Sequence, residues 1–152
     1  MINQQLCSEC LLSVYKFKGN IKGVISITKE LKNTNKSNYL WTGTPKSHGL
    51  KIQSSGYYQA TIFMTYRRGD YDCIQGKDLV VKLDGLPHYS FEVTDSRKGG
   101  QGLGHFTRVV CLFIKSQSRI ELTLSEGGVD GRGRGIIFGE CSGVIRLKKV
   151  AN

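Results

Sequence analysis

The sequence predicts an all-β sandwich or barrel, and three observations predict it. Short runs rich in β-branched and aromatic residues recur along the chain, each bounded by Gly, Asn, Asp or Ser turn signals. No segment carries the apolar spacing of an amphipathic helix. The run Val109-Val110-Cys111-Leu112-Phe113-Ile114 is apolar without interruption. Alternate residues of a strand point to opposite faces, so this run needs cover on both sides. The domain's own core supplies one cover. In a chain of 152 residues, a second protein surface supplies the other, which points to an oligomer and to binding rather than catalysis.

That length suits one domain, large enough to bury roughly 68–70% of its unfolded surface without metal or disulfide staples. Residues 1–20 read as a partly ordered lead-in, and 21–152 as the folded domain.

In chain order, Val14–Lys18 alternates and stops at the Gly19-Asn20 turn. Val24–Thr28 is a β-branched strand, and 29–38 is a polar loop. Within that loop, Asn35-Lys36-Ser37 is a glycosylation acceptor in a secreted chain. Tyr39-Leu40-Trp41 is a short apolar cluster; Gly49–Ile52 is a strand closed by the Ser54-Ser55-Gly56 turn. Tyr57–Tyr66 is the clearest strand. Tyr58, Ala60, Ile62, Met64 and Tyr66 form its core face, and the mixed Tyr57, Gln59, Thr61, Phe63 face suits a subunit contact. A charged loop, 67–77, leads to strand Leu79–Leu83; Asp84-Gly85 opens a turn with Leu86–Tyr89 as its tip, and Ser90–Thr94 returns. Strands Phe106–Ile114 and Arg119–Leu124 lie between glycine-rich loops at 97–104 and 126–135. Ile136–Phe138 and Gly143–Leu147 close the chain.

The net charge of +10, from 22 Lys and Arg against 12 Asp and Glu, attracts acidic partners. The basic residues are scattered, with only doublets such as Arg67-Arg68 and Lys148-Lys149. Scatter argues against nucleic acid and leaves weak binding to sulfated glycans as the expectation.

Five cysteines is an odd number, so in an oxidising compartment at least one thiol is free or intermolecular. Cys7 and Cys10 form a single C-x-x-C with no second pair and no nearby histidine, which excludes a zinc site, and no βα unit supports a redox motif. Cys73 sits in a charged loop open to disulfide bonding, and Cys111 reads as a packing residue. Gly100–Gly104 is followed by a strand, so no helix N-terminus would face a phosphate. Arg132 and Arg134 lie in a glycine-rich loop tip that meets a partner. His48, His88 and His105 have neither metal-ligand spacing nor an acid or nucleophile motif beside them. No catalytic residue, cofactor or metal is expected. No apolar stretch is long enough to span a bilayer.

Four features then fall in a telling order. Trp41 precedes Gly49-Leu50-Lys51-Ile52. Ser55-Gly56-Tyr57-Tyr58 begins a long strand. Phe113 to Ile120 forms strand, tight turn and strand, with Gln117-Ser118 in the turn. Gly143-Val144-Ile145-Arg146-Leu147 lies near the C-terminus. From Val24 onward this order resembles the tumour necrosis factor ligand superfamily, with Gln117-Ser118 replacing the usual Gly-Asp, as a divergent member of no assigned subfamily. The resemblance implies a jelly-roll β-sandwich assembling as a homotrimer. It implies an extracellular cytokine ligand, secreted or the ectodomain of a type II membrane protein, that clusters cysteine-rich receptors of the tumour necrosis factor receptor superfamily.

Carried over by position, the resemblance puts Tyr57, Gln59, Thr61, Phe63, Val109, Cys111, Phe113, Gly143 and Ile145 at the trimer contact. Tyr58, Ile62, Val110, Leu112 and Ile114 fill the core. Receptor contacts fall to Leu86, His88 and Tyr89, to Arg67, Arg68, Asp70 and Tyr71, and to Arg132 and Arg134. Tyr89 is the first choice of anchor; its bland role would be to cover the end of the sandwich. Cys73 occupies the first of two positions that many members link by a disulfide, and its partner is missing from the 97–104 loop. Two departures stand out: Ser142 and Arg146 would occupy core positions of the last strand, and the 97–104 loop is short. The nearest rival is the complement-type globular head, which shares the jelly roll and trimer and whose ending is echoed by Cys141-Ser142-Gly143-Val144. Trp41 and the absence of a collagen repeat favour the first reading. A glycan-binding jelly roll comes next, and an enzyme last.

Overall fold

The computed structural model describes residues 11–19, 24–41, 49–68, 78–93, 102–124 and 141–152, with the side chains of 67, 68, 102 and 103 excepted. Among the described residues ten strands form two five-stranded antiparallel sheets. They are β1 Leu12–Gly19, β2 Ile25–Asn33, β3 Tyr39–Leu40, β4 Gly49–Ile52, β5 Gly56–Arg68, β6 Asp78–Leu83, β7 Leu86–Glu92, β8 Gly102–Ile114, β9 Arg119–Leu124 and β10 Cys141–Ala151. The first sheet runs β2-β1-β10-β5-β8 and the second β3-β4-β9-β6-β7. From β4 to β10 every connection except the β6–β7 hairpin crosses between the sheets, which is the jelly-roll winding. Among the described residues no helix is long and apolar enough to cross a membrane.

Period-two alternation builds the core. Tyr15 and Phe17 of β1, Tyr58, Ala60, Ile62, Met64 and Tyr66 of β5, and Val110, Leu112 and Ile114 of β8 are all buried. Leu79, Val81, Ile120, Leu122 and Leu124 meet them from the second sheet. Trp41, just past β3, packs on this cluster edge-to-face with Tyr15.

Three local expectations change. Part of the supposed lead-in is integral to the fold: β1 lies between β2 and β10 because its alternate residues Ser13, Tyr15 and Phe17 face inward. The polar loop over 29–38 is shorter than expected. β2 runs on to Asn33, and register shifts opposite Val14/Tyr15 and Lys16/Phe17 let its irregular pattern stay paired. The tip expected at Leu86–Tyr89 is strand. The hairpin turns at Asp84 (φ 51°) and Gly85 (φ 80°), the left-handed pair that a two-residue turn of the Asp-Gly type demands. Asp84 also accepts the Arg119 backbone N–H at 2.9 Å, and that bond holds its carboxyl below the usual range.

Candidate functional site

β5 and β8 are the longest strands and pair over their whole length, from Gly56↔Ile114 to Arg68↔Gly102. One face of the pair builds the core. On the other, Tyr57 is 50% exposed, Phe63 48%, Val109 53% and Phe113 44%. Tyr57 and Phe113 sit directly opposite and touch edge-to-face at 5.2 Å. Gln59 pairs with Cys111 beside them, and the Cys111 thiol is free and exposed. The apolar run at 109–114 is thus covered on one side and bare on the other.

Of the expected contact residues, Tyr57, Phe63, Val109, Cys111 and Phe113 are exposed on this face and Gln59 is partly so. Thr61 shares the face but is buried. Gly143 and Ile145 do not belong to it. Ile145 is opposite Tyr15 and Ile62, both core residues, and is itself buried. Gly143 is opposite Phe17 and Met64, so both positions point inward. Alternation then turns Ser142, Val144 and Arg146 outward, and Ser142 and Arg146 are exposed. The polar residues that looked misplaced in the core are simply on the other face.

A seam between the sheets adjoins this surface. β8 edges the first sheet and β7 the second. The Tyr89 hydroxyl donates to the Cys111 carbonyl across the gap at 2.8 Å, and the ring stacks on Phe91 at 5.9 Å. Arg108 lies over the Phe91 and Phe106 rings at 5.8 and 4.6 Å. Tyr89 therefore fastens the edge of the sandwich and still leaves 38% of its surface in solvent. Leu86, 66% exposed, and His88 lie beside it. An open groove lined by Tyr57, Leu86, His88, Tyr89, Phe113 and Lys115 joins the seam to the apolar face. The two sets of residues that the sequence kept apart meet there. Nothing local in the sequence signals that Arg108 meets Phe91 of the other sheet.

Arg67 and Arg68 end β5 opposite Leu103 and Gly102. Asp70, Tyr71, Arg132, Arg134, Cys7, Cys10, Cys73 and His48 lie outside the described residues. Cys141 is a free, buried thiol whose pKa burial pushes up to about 11. No group of three or more His, Cys, Asp or Glu comes together among the described residues.

No family model and no curated protein matches the sequence. Solved structures do match the fold. The globular domain of a zebrafish complement 1qA protein superposes with a TM-score of 0.62 at 13% identity, over 93% of this chain and 98% of that one. The Eiger TNF structure from S. frugiperda gives 0.53 at 12% identity over 93% and 94%. Murine APRIL gives 0.50 at 9% identity over 91% and 99%. The chain has the jelly-roll fold common to these structures.

Proposed function

We propose that this chain is an extracellular ligand that assembles as a homotrimer and clusters receptors of the tumour necrosis factor receptor superfamily. One observation carries the reading: β5 and β8 bury one face in the core and leave Tyr57, Phe63, Val109 and Phe113 bare on the other. An isolated soluble domain seldom keeps aromatic and aliphatic groups so grouped. A ring of copies is a head-to-tail assembly, in which this face meets a different surface of the next copy. Three copies is the number the family resemblance implies. Sedimentation is expected to give three times the chain mass of 16.9 kDa; single chains at micromolar concentration would remove the assembly.

Receptor engagement is assigned to the seam, with Tyr89 as anchor beside Leu86 and His88. Tyr89→Ala is expected to weaken binding to the cognate cysteine-rich ectodomain at least about tenfold, the scale of an aromatic hot spot, with the molar mass unchanged. Tyr89→Phe keeps the ring and loses only the bond to Cys111, so it is expected to stay near wild type. Unchanged affinity for Tyr89→Ala strikes the residue from the site.

The complement-type reading draws support from the higher TM-score of the complement domain. It predicts the same assembly without binding to any tumour necrosis factor receptor ectodomain, so a receptor panel decides between the two.

Asn35 is proposed to carry an N-glycan. It lies in the turn between β2 and β3, where it accepts the Ser37 hydroxyl at 2.6 Å. Those strands edge the two sheets on the side away from β7 and β8, so a glycan there leaves the apolar face clear. Secreted from eukaryotic cells, the wild type is expected to lose mass on enzymatic deglycosylation and Asn35→Gln to lose none; an unshifted wild type removes the site.

A further inference from the structure

We propose that the outer face of β2, β1 and β10 is a docking surface for a sulfated polysaccharide. The basic residues are scattered only in sequence. Lys16 and Lys18 of β1 flank the inward-facing Phe17 and point outward, and both are exposed. Pairing sets Lys29 of β2 opposite Lys16, and Lys32 of β2 opposite Val14. From the other side, Arg146 of β10 is opposite Val14, and Lys148 is opposite Leu12. Six cations from three adjacent strands thus share one face with the half-buried Val14, which has Lys32 and Arg146 opposite it on either side, and Val144, which has Lys16 opposite it.

Adjacent strands are about 4.8 Å apart and alternate residues about 6.7 Å. The charges therefore lie within a Debye length of about 8 Å of their neighbours, and their fields add. No carboxylate joins them among the described residues of these strands. Glu30 is opposite Tyr15 and points the other way, bonding Asn33 at 2.8 Å. Like charges directly opposite on a sheet, as at Lys16 and Lys29, are destabilising. The cluster is therefore no device for stability and calls for an anion from outside.

The chemistry favours a flexible sulfated chain. Five of the six cations are lysines, compact charges that take anions without demanding a planar partner. Single-stranded nucleic acid is held by aromatic rings interleaved with the charges, and none points outward from β1, β2 or β10; the nearest exposed ring, Phe63 of β5 opposite Val144, stands at the margin of the cations. A membrane surface is disfavoured: Val14 and Val144, among the cations, are recessed, and the exposed apolar groups of these strands, Leu31 and Val150, are single aliphatic side chains with no aromatic anchor beside them. One chain supplies the whole surface, and its β10 side, where Arg146 and Lys148 are opposite Thr61 and Gln59, borders the apolar face assigned above to the subunit contact.

The test uses the full chain and heparin as probe. Wild type is expected to bind heparin at about 0.15 M NaCl and to release as salt rises. The triple variant Lys16→Gln, Lys29→Gln, Arg146→Gln is expected to bind at least about tenfold more weakly, since each lost charge near a polyanionic surface counts separately. Its circular dichroism and molar mass should match wild type. A second triple variant, Lys51→Gln, Lys82→Gln, Lys115→Gln, removes the same charge elsewhere and is expected to leave binding unchanged. Equal weakening in both variants overturns the site, because net charge alone would then explain retention. Equal binding to desulfated heparin overturns the ligand class. Tighter binding to a DNA oligonucleotide or to phosphatidylserine vesicles overturns the occupant. A changed molar mass in the first variant overturns it too, by assigning the cations to a subunit contact.

Discussion

Phe113→Asp is expected to turn the assembly into folded single chains. Phe113 is 44% exposed in the isolated chain, where it touches Tyr57 but no core residue is needed to hold it. An aspartate there stays in water, and a surface substitution of this kind moves stability by about 0.5 kcal/mol or less. The same carboxylate enclosed in a dry contact lacks a partner and costs several kcal/mol. Closing the contact over the phenyl ring contributes about 1–2 kcal/mol for the half of the ring still exposed, and that contribution also disappears. The difference falls on association alone. Light scattering should report about 17 kDa, with an unaltered circular dichroism spectrum. Leu31→Asp is the control. Leu31 is equally exposed at 44%, but it lies on β2 at the other edge of the sheet, and its substitution should leave the mass unchanged. A Phe113→Asp protein that keeps the native mass would show that this face is not the contact.

Sequence alternation located most strands of this fold because half-buried strands write their two faces into every second residue. β5 shows the rule at its clearest. Tyr58 to Tyr66 at even positions are all buried, and Tyr57 and Phe63 are not. The rule fails where both parities are apolar. In β10 the stretch Gly143-Val144-Ile145 offers no charge to orient it, and the family resemblance assigns it the opposite parity from the one that the exposed Arg146, the next residue, implies. Pairing with β1 and β5 settles the matter by setting Ile145 between Tyr15 and Ile62.

Proximity between strands distant in sequence was hidden for a different reason. Lys16, Lys32 and Arg146 become neighbours through ladders whose partners are up to about 130 residues apart. No local window contains that information, so a charge cluster looked like scatter. The seam at Tyr89 is the same case. Its hydroxyl reaches Cys111 of the opposite sheet, and only the edge positions of β7 and β8 bring them together.

Gly143→Ala is expected to lower the stability of the single chain by about 3 kcal/mol, an overpacking cost at the upper end of the usual range. A Cβ built on Gly143 would stand 1.9 Å from the Phe63 carbonyl oxygen, 2.6 Å from Phe17 Cζ and 3.0 Å from Met64 Cα. Two of these atoms belong to the β5 backbone, which cannot rotate away as a side-chain tip can. β10 lies between β1 and β5 and is bonded to both, so shifting it disturbs two ladders at once. The usual effect of replacing glycine in a strand is a gain of about 0.5–1 kcal/mol from backbone entropy, and the clash outweighs it. Gly85→Ala makes the contrast: nothing lies within 4 Å of its Cβ, and only its φ of +80° opposes substitution, at about 1–2 kcal/mol. Measured on the Phe113→Asp background, where unfolding reports single chains, Gly143→Ala should lower the thermal midpoint by about 6–12 °C. This result also separates the two placements of the residue. A Gly143 facing another subunit would dissociate the assembly and leave the single chain as stable as before, whereas one facing Phe17 weakens the chain itself.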